Sequence, residues 1–130
     1  MQIYISEEAI IGDIQERFHR LYPRLKLEFF RKPHAPGACS PEKDKLPANT
    51  PIEKVRMQHS FGWLDVSHYR TAVAVEHDLK SLFGLHAQVL HKAGALWLQT
   101  TGTGHLTLEE LNAGDAEKAV FELPEEPENE

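Results

Sequence analysis

The apolar pattern of this chain occurs twice, about 61 positions apart, and this repeat limits the folds that the chain can adopt. In each copy an alternating segment is followed by an amphipathic helix pattern and then by a second alternating segment. Apolar residues recur at i, i+3, i+7, i+10 and i+11 in both helix patterns, at Ile11, Ile14, Phe18, Leu21 and Tyr22 and then at Ala72, Val75, Leu79, Leu82 and Phe83. Each half therefore predicts a strand, a helix and a strand.

The flanking segments alternate with a period of two, which is typical of strands with one buried face. They are residues 3–5 and 25–29 in the first half and residues 64–66 and 85–89 in the second half. The second strands are 60 positions apart rather than 61, which indicates that one residue is deleted in the second turn. Two βαβ halves in succession have the ferredoxin-like order of elements.

Residues that favour helix ends lie at matching places in the two halves. A hydroxyl residue that can cap a helix N-terminus precedes each of four helical patterns, at Ser6, Thr50, Thr71 and Thr107. After Thr50 and Thr107 a glutamate three residues later completes a capping box, so each half should end in a short capped helix. Pro23 and Gly84 follow the two long helix patterns and should end them.

The two halves differ after their second strands. Residues 91–101 read as a tight turn at Ala93 and Gly94 that leads into a further strand over 95–100. The first half has a Pro-rich loop, 33–49, in that place. We therefore predict an α+β fold from duplicated βαβ halves, about 3–55 and 64–112. It is ferredoxin-like or a related helix-on-sheet sandwich, with an added C-terminal hairpin strand.

Length and charge suggest one domain followed by an acidic tail. The chain has 130 residues and a net charge of −6, and residues 115–130 carry seven acids against one lysine. The preceding segment, 1–114, is neutral and is predicted to be a single domain. The tail is rich in Pro and Glu, a composition typical of disorder. A neutral body with an acidic tail argues against nucleic acid as a partner.

Other features of the chain bear on its location. No apolar run approaches the ~20 residues of a membrane helix, and we expect neither a secretory signal nor a membrane partner. Cys39 is the single cysteine, so no internal disulfide can form, which fits the cytoplasm.

The sequence offers no motif that specifies a reaction. The eight histidines lack the local spacing of a metal site, so we predict neither a metal nor another cofactor. Cys39 lies in a loop with no helix N-terminus to activate its thiol. Gly102 and Gly104 lie in a polar turn that lacks the Lys-Ser/Thr pair of a phosphate-binding loop. We therefore assign no catalytic residue, and the chain is more consistent with a binding protein than with an enzyme.

Three apolar residues fall on the polar faces of their strands and suggest a binding surface. Phe30, Leu90 and Trp97 should share the sheet face that the helices do not cover. Self-association, in a homodimer, or a protein partner would cover this face. The primary hypothesis is therefore a non-catalytic binding or assembly domain.

Two alternatives use charged residues. The first is a small enzyme or a protein that binds an anionic ligand, with a site under the loop 33–49. Its candidate residues are Arg31, Lys32, His34, Cys39, His59 and His105. The second is nucleic-acid binding through the basic segment 17–32, against which the overall charge argues.

The run LKLEFFRKPH, and the later TLEELN after a W-L-x-T strand, resemble a small uncharacterised bacterial family of the Bacteroidetes type. The resemblance spans most of residues 1–114. It implies a shared fold and a cytoplasmic bacterial setting. It implies no activity, cofactor or catalytic residue.

Overall fold

The computed structural model describes residues 1–35, 38–55 and 60–115, and it confirms the predicted α+β class. The elements are β1 (Gln2–Ile5), α1 (Ile11–Leu21), β2 (Leu25–Phe30), β3 (Gly62–Asp65), α2 (Ala72–Phe83), β4 (His86–Ala93), β5 (Leu96–Gln99) and α3 (Leu108–Asn112). Two single 3-10 turns, Glu42–Asp44 and Ile52–Lys54, lie between β2 and β3. The predicted tail lies outside the described residues from position 116 onward.

The strands form two antiparallel sheets, one of β1 and β3 and one in the order β2-β4-β5. The predicted hairpin strand is present as β5, and Gly94 takes the left-handed backbone conformation that its tight turn requires, with φ of 63°. The ferredoxin-like arrangement is not confirmed, because the strands of the two halves are divided between two sheets.

Matching strands of the two halves pair with each other. Ile3 lies opposite Leu64 in the first sheet, and Glu28 lies opposite Gln88 in the second. The members of these pairs are 61 and 60 positions apart, as are the repeated patterns. Two halves related by a two-fold rotation would pair in this register. Their origin by duplication stays a prediction.

The core lies between the helices and the inner faces of the sheets, and the predicted helix stripes face it with one exception in each helix. Leu21 and Leu82 are 39% and 51% exposed. They hold equivalent positions, and both were expected in the core. The next residues, Tyr22 and Phe83, are buried. They lie four positions after Phe18 and Leu79, so they continue the buried stripe at the end of each helix.

Two of the four predicted caps are confirmed. The Thr71 hydroxyl accepts a hydrogen bond from the Ala74 amide (3.1 Å) at the start of α2. At the start of α3, Thr107 and Glu110 form the predicted capping box. The Glu110 amide donates to the Thr107 hydroxyl (3.1 Å), and the Thr107 amide donates to the Glu110 carboxylate (2.8 Å).

The other two predicted caps are wrong. The N-cap of α1 is Ile10 rather than Ser6, and the Asp13 carboxylate accepts from the Ile10 amide (3.2 Å). Thr50 precedes a single 3-10 turn whose N-cap is Pro51, so the first half has no short α-helix at this place. A carboxylate in the first turn can accept a hydrogen bond from the amide of the N-cap residue. Asp13 does so here, and the helix begins without a cap from Ser6.

Loop carbonyls satisfy the early amides of both long helices. Gly12 donates to the Ala48 carbonyl (2.7 Å), and Val73 donates to the Gly104 carbonyl (3.0 Å). The two loops approach the helices so closely that a Cβ added to Gly104 would overlap Val73 Cγ2. Because Gly104 has no side chain, this loop can lie directly against α2.

We expect Gly104→Ala to lower the free energy of unfolding by about 1–3 kcal/mol, because Val73 is β-branched and cannot rotate away. Val73→Ala in the same chain should restore part of the loss. Urea unfolding of the two single variants and the double variant measures both effects. Equal stability of Gly104→Ala and the wild type would contradict the close packing.

Candidate functional site

The sheet face that was predicted to be open is covered by the chain itself. Phe30 and Leu90 are only 2% and 4% exposed. On the same face, the Gln88 side chain donates to the Ala38 carbonyl (2.7 Å) and to the Ser40 hydroxyl (3.0 Å). The second part of the Pro-rich loop therefore crosses this face, and Phe30 and Leu90 do not offer exposed anchors to a partner.

Trp97 is the one member of the predicted surface that stays partly exposed. The Lys26 and Lys92 ammonium groups lie 4.8 and 5.7 Å from the centre of its ring. The His19 ring meets Trp97 edge-on at 5.8 Å. The indole thus lies in a basic environment on β5.

Among the described residues, the outer edge of β4 has no strand neighbour along its first half, because β5 pairs with it only from Leu90 onward. Side chains take the place of the strand. The Val89 amide donates to Glu76 Oε2 (2.8 Å), and the Ala87 carbonyl accepts from His34 Nε2 (3.0 Å). These two side chains therefore satisfy backbone groups that burial would otherwise leave unpaired.

The His34 ring lies between two backbone carbonyl oxygens. Its Nδ1 lies 2.9 Å from the Ala35 carbonyl oxygen, and its Nε2 lies 3.0 Å from that of Ala87. A carbonyl oxygen only accepts hydrogen bonds and a neutral imidazole carries one N–H, so the neutral ring can donate to one of these two oxygens at a time. Oε1 of Glu76 lies 3.9 Å from Nε2.

Burial raises the pKa of the Glu76 carboxyl to about 7. The amide of Val89, the positive charge of His34 and the hydroxyl of Thr100 act in the opposite direction, because each stabilises the carboxylate. Desolvation is the larger effect at this 7% exposed side chain. Glu76 therefore changes protonation near neutral pH.

A cleft with a volume of about 390 Å³ lies beside this pair, between α2 and the outer edge of β4. The residues around it are His34, Arg70, Thr71, Val73, Ala74, Glu76, His77, Asp78, Lys80, His86 and Ala87. Arg70 and Asp78 form an ion pair within this lining. Burial lowers the pKa of His86, and the positive charges of Lys80 and His34 lower it further. His34 from the segment after β2, Lys80 from α2 and His86 from β4 thus converge in one cleft.

Few of the residues predicted for a site under the Pro-rich loop come together. His34 lines the cleft, whereas Arg31, Lys32, Cys39 and His105 are exposed and do not line it. His59 lies outside the described residues.

The sequence analysis missed Glu76, Lys80 and His86. Glu76 follows Ala72 by four positions and precedes Leu79 by three, so it lies on the buried stripe of α2. A carboxylate on an apolar stripe was the available signal for this site.

Comparisons with protein-family models, with curated proteins and with solved structures gave no match for this chain. Among residues 1–35, 38–55 and 60–115, His, Cys, Asp and Glu form no group of three that could hold a metal ion. In the same ranges, no helix combines the length and the apolar character needed to cross a membrane.

We expect Glu76 to make stability fall as the pH rises from about 4.5 to about 7. Its pKa is 4.5 in an ordinary setting and about 7 in the fold. The folded state therefore holds the proton more tightly, and the stability that the protonated group contributes is full below pH 4.5 and lost through pH 7.

Glu76→Gln removes this titration while keeping an acceptor for Val89. Between pH 4 and pH 8, the wild type should lose on the order of 3 kcal/mol relative to this variant, as measured by urea unfolding. Glu16→Gln, at an exposed site on α1, should leave the pH dependence unchanged. Parallel pH profiles of the wild type and Glu76→Gln would contradict the shifted pKa.

Proposed function

We propose that this protein is a non-catalytic assembly domain that binds a second copy of itself through the outer edge of β5. The observation that supports the proposal is an uncharged apolar edge strand. Leu96 and Leu98 are 64% and 44% exposed. The segment 95–99 carries neither a charge nor a proline, which are the residues that usually protect a sheet edge from pairing.

The backbone of β5 supplies the groups for such pairing. Leu96 and Leu98 lie opposite Ala93 and His91 of β4 and direct their amides and carbonyls inward. Trp97, between them, directs its amide and carbonyl away from β4. In the part of the chain that the structure describes, no strand lies on that side of β5.

A two-fold axis beside Trp97 would join two copies of β5 as antiparallel neighbours. The two Trp97 backbones would then exchange a pair of hydrogen bonds, and Leu96 of each copy would lie across from Leu98 of the other. The four leucines would cover one another on one face of a continuous sheet. This arrangement is isologous, so it closes at the dimer.

The proposal keeps the predicted self-association but moves it from the face of the sheet to its edge. Phe30 and Leu90 are buried and take no part in this interface. Trp97 remains the member of the original set at the interface. A contact of one short strand buries well under the ~1,200 Å² of a standard interface, so we expect a Kd in the micromolar range or weaker.

Light scattering after size exclusion, over a series of protein concentrations, should show the mass rising from one chain to two. Leu96→Lys and Leu98→Lys should each keep the chain monomeric, because the pairing would bury a cation in the interface. Their thermal unfolding should match that of the wild type, since both side chains are exposed.

Two control variants test whether β5 is the contact. Leu82→Lys replaces a leucine on α2 that is 51% exposed and should leave the dimer intact. Trp63→Lys changes the exposed ring that meets Tyr4 edge-on at 5.1 Å on the outer face of β1 and β3. A dimer that survives both β5 variants but dissociates with Trp63→Lys would contradict the proposal, as would a monomer at every concentration.

A further inference from the structure

We propose that the cleft between α2 and β4 binds a small organic anion, with its charged group between Lys80, His86 and His34 and its apolar part along α2. This binding is independent of self-association through β5. It keeps His34 from the anionic-ligand hypothesis of the sequence analysis and adds Lys80 and His86, which that hypothesis did not include.

The first support is the convergence of basic groups. Lys80 lies on α2, His86 begins β4, and His34 lies in the segment after β2. In the described ranges Lys80 has no carboxylate within ion-pair distance. Burial and the positive charge of Lys80 lower the pKa of His86, and an anion bound between the two side chains would favour the charged form of the His86 ring.

The second support is the balance of charge around the cleft. Two acidic residues line it, and both are compensated. Asp78 is neutralised by its ion pair with Arg70. The Glu76 carboxyl, whose pKa is raised to about 7, accepts the Val89 amide through Oε2, and its Oε1 lies 3.9 Å from His34 Nε2. The positive charge of Lys80 is therefore left to attract an anion.

The third support is the apolar character of the remaining wall. Val73 and Ala74 of α2 and Ala87 of β4 border the cleft. A volume of about 390 Å³ is within the range of small-molecule sites. An apolar wall beside a basic end favours a carboxylate with a hydrocarbon or aromatic body over an inorganic anion.

The matching place in the first half lacks these properties, which argues that the site is particular to α2. The groove between α1 and the outer edge of β2 is lined by Glu16 and Glu28 as well as by basic residues. Position 15 is a glutamine, whose side chain donates to the Leu27 carbonyl (3.0 Å). Glu28 there binds Lys26 and Lys45, at 3.4 and 3.5 Å.

The test is an NMR titration of the full chain at constant ionic strength and pH 6.5, with the His86 ring resonances as the readout. Benzoate is the probe, and benzyl alcohol is its uncharged counterpart. We expect benzoate to shift the His86 resonances saturably, benzyl alcohol to bind at least tenfold more weakly, and inorganic phosphate to bind more weakly than benzoate.

Lys80→Gln should raise the Kd for benzoate by about tenfold, because it removes a charge-assisted contact from a partly exposed site. Lys92→Gln, which changes a lysine beside Trp97, should leave that Kd unchanged. Both residues are exposed, so both variants should fold. The absence of a saturable shift, or equal affinities in the wild type and Lys80→Gln, would overturn the proposal.

Discussion

The hydrogen bond from the Val89 amide to the Glu76 carboxylate closes the outer edge of β4, and the neighbouring structure is arranged around it. A buried sheet edge requires partners for its amides and carbonyls. β5 pairs with β4 only from Leu90 onward, and the Thr100 amide reaches the Val89 carbonyl. Glu76 and His34 supply partners for the Val89 amide and the Ala87 carbonyl, which brings a carboxyl group and an imidazole into the interior beside α2. The raised pKa of Glu76 and the adjoining cleft follow from that placement.

In the three-stranded sheet, the outer edge of β4 and the outer edge of β5 differ in whether their backbone groups are available for pairing. Along the first half of β4, the side chains of Glu76 and His34 bind the backbone groups that a neighbouring strand would otherwise bind, so that edge is closed to further pairing. Along β5 the edge is formed by uncharged residues, and Leu96 and Leu98 remain exposed. The side chains that close the β4 edge border the cleft proposed to bind a small anion. The open β5 edge is the one proposed to pair with a second copy of the chain. The two proposed functions therefore arise from one sheet.

Most of the fold could be predicted from the sequence, because apolar periodicity reports which face of each helix and strand is buried. The site could not be predicted in the same way. Phe30 and Leu90 have the pattern of an open face, but periodicity cannot show that the Pro-rich loop returns to cover it. Glu76 was not considered as a site residue, although its spacing from Ala72 and Leu79 places it on the buried stripe of α2. The division of the strands into two sheets depends on contacts between residues far apart in the sequence, which the apolar periodicity of each segment does not encode.

Amide hydrogen exchange at Val89 and Trp97, measured over a series of protein concentrations, tests the central claim about the two edges most directly. The account predicts that the Val89 amide is protected at every concentration, because Glu76 of the same chain holds it. It predicts that the Trp97 amide exchanges rapidly in dilute protein and becomes protected as the concentration rises. Rapid exchange at Val89, or protection at Trp97 that does not depend on concentration, would contradict the account.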